Sequence, residues 1–148
     1  MPFPDRASLP HWADGTVAIL STVGDGPHAI PVSTGLRAGD ELLLIALAAR
    51  RQSLANLRVE PRVAVSFLAE GDVAVTVHGV AEVVADPMEI SDRVCAVAIR
   101  TSRIQDHGQS RFVIEGGADW SWTDDEAAER DKAVREELGR IAAALVAS

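Results

Sequence analysis

Residues Arg62–Val84, RVAVSFLAEGDVAVTVHGVAEVV, decide the fold class. Val63, Val65 and Phe67 alternate with small or polar residues, which puts one apolar face on an extended segment. Glu70-Gly71-Asp72 is a hairpin turn signal, and a second run, Val73–Val84, follows it directly. Gly79 interrupts that longer strand, and a glycine inside a strand marks a bulge or a barrel corner.

Upstream lies a different period. Gln52–Val59 carries Leu54 and Leu57 at i, i+3 and predicts a short helix ending before Pro61. Before it, three more runs predict strands: Thr16–Val23, His28–Leu36 and Glu41–Leu47. Gly24-Asp25-Gly26-Pro27 and Arg37-Ala38-Gly39-Asp40 separate them as turns, so the three read as a meander. Pro31 and Gly35 disturb the second run, which suits an edge or a bulge. The third run is apolar on both faces and reads as central.

Downstream, Asp86-Pro87-Met88-Glu89 has the spacing of a capping box with proline at the first helical position, and predicts a helix to about Arg100. A loop is expected over Ile104–Gln109. Ser110–Trp122 reads as a sixth strand broken at Gly116-Gly117. Thr123-Asp124-Asp125-Glu126 opens a last helix, with Val134, Leu138, Ile141 and Leu145 on one stripe. The expectation is a mainly β, α+β chain forming one domain over residues 1–148. Its core would be a six-stranded antiparallel barrel, closed or nearly closed, with short flanking helices and a C-terminal helix; a sandwich is the alternative.

Composition narrows the function. The 148 residues carry a formal charge of −8, with Lys132 the single lysine, which argues against a nucleic-acid backbone as the main partner. Cys95 is the one cysteine, so neither an internal disulfide nor a cysteine-based zinc site can form within one chain. Met1–Arg6 shows no apolar leader, and runs such as Leu42–Ala49 are too short to span a bilayer, so a cytoplasmic, membrane-free chain is expected. Glycine-rich nucleotide fingerprints, a nucleophile elbow and paired histidine ligands are absent from the sequence, and His11, His28, His78 and His107 lie far apart.

Three segments carry candidate chemistry. In Ala48–Arg62, AARRQSLANLRVEPR, Arg50, Arg51 and Ser53 sit where the short helix begins. Guanidinium forks, a hydroxyl and free helical N–H groups make a site for a phosphate monoester. The alternative is a solvated arginine pair with Ser53 as a plain cap. In His28–Gly35, HAIPVSTG, the broken ladder would leave backbone groups for a planar ligand, or be an ordinary edge strand. In Asp119-Trp120-Ser121-Trp122, two tryptophans two apart share a face on a strand. They suit ring stacking, a subunit contact, or core packing.

Taken in order, Gly15–Ser33, Arg50–Leu68 and Val75–Pro87 resemble the flavin-binding split β-barrels related to pyridoxamine 5′-phosphate oxidase. The resemblance covers about Gly15 to Pro87, and Ser110–Asp124 fits the last strand of that family more loosely. It implies a homodimer with FMN in clefts between the chains, or the deazaflavin F420 in the same cleft, and an oxidoreductase acting on a small molecule. By position it implicates Arg51, Ser53 and Asn56 in phosphate binding, with Arg50 close by. It places the ring along Ile30, Pro31, Val32, Ser33 and Ala46, and draws Trp122, with Trp120 second, from the partner chain. Many relatives have a lysine where Ser53 stands; Arg50 and Arg51 would substitute, or cofactor affinity or preference would differ. The implied activity is flavin-dependent redox chemistry, with His28 as a proton donor or a plain surface histidine. A non-catalytic flavin-binding module is the other reading. The C-terminal arginine-rich signature of the true oxidase is missing, so that activity is not assigned.

Overall fold

A computed structural model describes residues 3–148; Met1 and Pro2 lie outside the described residues. Seven strands form one antiparallel sheet: β1 (Ala18–Val23), β2 (Pro27–Val32), β3 (Leu36–Arg37), β4 (Leu42–Ala48), β5 (Arg62–Ala69), β6 (Val73–Ala85) and β7 (Val94–Asp106). Helix α1 (Gln52–Val59) lies between β4 and β5, and α2 (Asp125–Ala147) ends the chain. The sheet order is β2-β1-β5-β6-β7-β4-β3.

That order forces closure. β2 and β3 lie at opposite edges, yet only Ser33-Thr34-Gly35 joins them. Four chain steps reach about 14 Å at most. Seven flat strands at about 4.8 Å spacing would put the edges about 29 Å apart. The sheet therefore curls until its edges meet, which is the split barrel. Inside it Leu20, Leu43, Ile45, Val65, Val77, Val97 and Ile99 are fully buried. Trp12 stacks on Phe67 with ring centroids 4.2 Å apart and donates from Nε1 to Gly35 O at 2.9 Å, so the N-terminal segment plugs the barrel beside the seam.

Helix α2 covers the outer face of β4 and β7. Asp124 is its N-cap and accepts from Ala127 N at 2.7 Å. The Val134, Leu138, Ile141 and Leu145 stripe packs on Leu42, Leu44, Ala96 and Ala98 as expected. Small residues at Ala46, Ala96 and Ala98 let the helix approach closely, and Leu138 is fully buried there. Such burial contributes about 1.5–3 kcal/mol.

Most local expectations hold: α1 has the expected bounds, the β5–β6 hairpin turns at Gly71 and Asp72 with positive φ, and β6 has a bulge at His78/Gly79. A Cβ on Gly79 would stand 2.4 Å from Arg100 O, so the corner requires glycine. Four expectations are corrected. The meander does not form, because β1 pairs with β2 and β5 while β4 pairs with β3 and β7. The second run splits at Ser33–Gly35 into β2 and β3 as the chain passes between the edges. The helix expected from Asp86 to Arg100 is a short turn followed by β7. Cys95, Val97 and Ile99 face the barrel interior while Ala96 and Ala98 face α2, so a strand buried on both sides shows no alternation. The sixth strand expected over Ser110–Trp122 is irregular: β6 and β4 already occupy both sides of β7, so the segment runs outside the ladder. It is held by Ile114 N donating to Asp72 Oδ1 at 2.8 Å and Trp120 Nε1 donating to Gly15 O at 2.8 Å. The strand count is thus seven rather than six.

Candidate functional site

Helix α1 begins without a side-chain cap. Arg51 is the N-cap residue in extended backbone, and no side chain accepts from the first-turn amides. Ser53 lies inside the first turn rather than before it, so it does not cap. It is fully buried, and its Oγ has no hydrogen-bond partner among the described residues. Arg50 and Arg51 are exposed and form no ion pair among the described residues, whereas Arg37, Arg58, Arg62, Arg103 and Arg135 each hold a carboxylate. The start of α1 therefore combines uncompensated positive charge, free N–H groups and an unused buried hydroxyl.

Asn56, one turn on, pins the helix to the barrel. Its Nδ2 donates to the buried Thr22 Oγ1 at 3.1 Å, and its Oδ1 accepts from Gln52 Nε2 at 2.8 Å. A Cβ on Gly24 would lie 2.7 Å from that Oδ1, which fixes glycine in the β1–β2 turn. His28 stands directly opposite Thr22 in the ladder, and its Nε2 is buried without a partner among the described residues.

The β2 candidates divide by face. Ile30 and Val32 point to the barrel interior, while Pro31 points outward beside Ile19. Ser33 and Ala46 lie at the seam. Ser33 O accepts from Arg135 Nη2 at 2.9 Å. Thr34 Oγ1 takes both backbone groups of Ala46, which lies half-buried beneath α2. Trp122 is exposed and meets Trp120 edge-on, with centroids 5.3 Å apart at 87°. The tryptophans line a cleft of about 390 Å³ with Asp14, Asp131 and Arg135. Arg135 thus connects the tryptophan cleft to Ser33, while Asn56 of α1 is held at Thr22, opposite His28 near the other end of β2.

Arg135 was not singled out by the sequence. Its i, i+4 pair with Asp131 was readable on the helix, but its hold on Ser33 spans 102 residues and leaves no local signal. Glu137 was also missed: buried on α2, it accepts from Glu89 N at 2.9 Å and Ile90 N at 2.7 Å. Among the described residues no three His, Cys, Asp or Glu side chains gather in a way that could hold a metal, and no helix is long and apolar enough to cross a membrane.

Comparison with known proteins agrees with this architecture. Among solved structures, an F420 reductase aligns at 18% identity with a TM-score of 0.54, covering 62% of this chain and 90% of its own. HupZ of Group A Streptococcus aligns at 15% identity and a TM-score of 0.52, covering 72% of this chain and 90% of its own. A heme binding protein from Mycobacterium smegmatis aligns at 24% identity and a TM-score of 0.51, covering 66% of this chain and 51% of its own. At these identities the likeness is one of fold. No curated protein matches the chain. The family model for pyridoxamine 5′-phosphate oxidase matches residues 11–120, from the barrel plug to Trp120. The chain belongs to the pyridoxamine 5′-phosphate oxidase family.

Proposed function

We propose that the chain is a cytoplasmic flavin-dependent oxidoreductase that acts on a small molecule as a homodimer, with FMN, or F420 in its place, in a cleft between the two chains. The observation that carries this reading is the start of α1: an uncapped helix and, among the described residues, two unpaired guanidinium groups and a partnerless Ser53 Oγ. These residues fit the phosphate end of a flavin nucleotide, since each group present is a donor or a cation. Arg50, Arg51 and Ser53 would hold that end. Asn56 would act through its hold on Thr22, keeping the helix in place.

The ring would use fewer residues than the family resemblance implies. Pro31 is exposed and open to a planar ligand; Ser33 is half-buried with its carbonyl held by Arg135, Ile30 and Val32 face inward and shape the strand, and the backbone of Ala46 is engaged by Thr34. Trp122 is exposed enough to close over a ring in a second chain. When bound, the flavin supplies the two-electron chemistry, and the protein orients it and excludes water. His28 Nε2 is buried on β2 without a hydrogen-bond partner among the described residues.

A second reading, a flavin-binding module without turnover, is favoured by Arg135 lying against Ser33 O and by Thr34 filling the Ala46 groups. One experiment separates the two. The purified protein is expected to show the visible absorbance of a flavin, or to gain it with added FMN or F420, and then to oxidise NAD(P)H or reduced F420. Binding without donor oxidation selects the module. A colourless protein that takes up neither cofactor overturns both.

A further inference from the structure

Arg50 also lines a cleft that it shares with two further arginines. The cleft, of about 800 Å³, opens between the β4–α1 turn, the turn before β7 and helix α2. Arg50 lines it from the first, Arg93 from the second and Arg130 from the third. None of the three pairs with a carboxylate among the described residues, although the chain carries 22 acidic residues and most of its other arginines are paired. Asp92 is the one acidic residue on the wall. The floor is apolar, with Ala48, Val94 and Val134. The backbone fixes the geometry: Ala49 N donates to Arg93 O at 2.8 Å, and Ser91 Oγ accepts from Arg93 N at 3.2 Å, so Arg50 and Arg93 stay side by side.

Three guanidinium groups held apart without a counter-ion repel one another, and an acidic chain has carboxylates enough to neutralise them. All three are exposed and free of carboxylate partners among the described residues, so they are available to an external anion. Guanidinium forks match phosphoryl oxygens two at a time, and the apolar floor suits the organic part of the same ligand.

We propose that Arg50, Arg93 and Arg130 form a binding site for a phosphoryl group carried on an organic ligand, with α2 supplying one wall. This rests on the flavin reading above when the ligand is FMN or F420, in which case Arg93 and Arg130 are further binding residues for its charged end. The cleft stands equally for a phosphorylated substrate.

The test uses the full chain and the double variant R93Q/R130Q. The control is R100Q/R111Q, which removes the same charge away from the cleft. Pyrophosphate binding is read by calorimetry, and FMN and riboflavin binding by fluorescence. Wild type and control are expected to bind pyrophosphate, and the cleft variant to lose about tenfold or more in affinity. Where FMN is the ligand, its binding falls likewise while riboflavin binding, which has no phosphate to lose, does not change; pyrophosphate loss with FMN binding unchanged assigns the cleft to a phosphorylated substrate. Loss of pyrophosphate affinity in the cleft variant, with no flavin bound by any form, upholds the cleft and overturns the flavin reading. Equal pyrophosphate affinity in all three forms, or an equal loss in the control, overturns the cleft. Circular dichroism confirms that each variant is folded.

Discussion

The Thr34 hydroxyl does the work of a missing strand partner for Ala46. Its Oγ1 accepts from Ala46 N at 2.9 Å and donates to Ala46 O at 3.1 Å. This occurs where the chain crosses between the sheet's two edges, so one side chain closes the barrel where no ladder can. Thr34→Val keeps the shape but leaves two half-buried backbone groups unpaired. The expected cost is about 1–3 kcal/mol, seen as a lower urea midpoint with an unchanged m-value. Thr34→Ser, which restores the hydroxyl, should recover most of the loss.

Glu137 offers a comparable test on the opposite face. Its carboxylate is buried on α2 and takes the amides of Glu89 and Ile90, which ties the turn before β7 to the helix. Glu137→Gln replaces one acceptor oxygen with an NH₂ group facing an N–H donor. Stability should fall by about 1.5–3 kcal/mol, since hydrogen bonds to a charged group are being lost. Amide exchange at Glu89 and Ile90 should accelerate more than at β5 and β6, because the turn is released locally.

These two contacts also show what the sequence could and could not disclose. Turns, α1, the β5–β6 hairpin, the Gly79 bulge and the α2 stripe are local patterns, and each was readable. The strand order depends on pairs such as Ala18 with Phe67 and Leu42 with Arg100, which no neighbouring turn specifies. The strongest local signal to fail was Asp86-Pro87-Met88-Glu89. Its spacing suits a helix start, but the β6 and β4 partners of β7 outweigh it. At the site, Arg50, Arg51 and Ser53 were legible as donors beside a helix start. The burial of Ser53 and the hold of Arg135 on Ser33 were not, because both depend on distant packing.

Cys95 supplies a pH dependence. Its side chain is fully buried, and its thiol donates to Asp86 Oδ1 at 3.3 Å. Burial first, then the Asp86 hydrogen bond and charge, push the thiol's pKa up, with Arg58 partly opposing them. The neutral thiol is therefore favoured in the folded state. Below the unfolded thiol's value of about 8.5 this contribution is fully present. It is lost as pH rises from there through the raised folded value. Unfolding free energy should thus decline above about pH 8.5, and Cys95→Ala should flatten that decline. A disulfide reagent at neutral pH should label the native protein slowly and the unfolded protein with one equivalent.

The outward face of β1, β5 and β6 gives the last prediction. Ile19, Val23, Leu68 and Val80 are 40, 51, 56 and 49% exposed, although strand positions facing water are normally polar. Ala29, Pro31 and Ala64 extend the same face with small or apolar residues. Such a surface is costly to leave in water and suits a self-complementary contact, the kind a homodimer makes. A stable interface of this type buries about 800 Å² on each partner. Leu68→Glu with Val80→Glu places two carboxylates on each half of that contact, and their desolvation should outweigh what the remaining apolar residues contribute. Sedimentation of the wild type should give a dimer and of the double variant a folded monomer. If the cofactor cleft is shared between chains, the monomer should also lose FMN binding with Arg50, Arg51 and Ser53 intact. A wild-type chain that sediments as a monomer at every accessible concentration would refute the dimer, and with it any role for Trp122 across the interface.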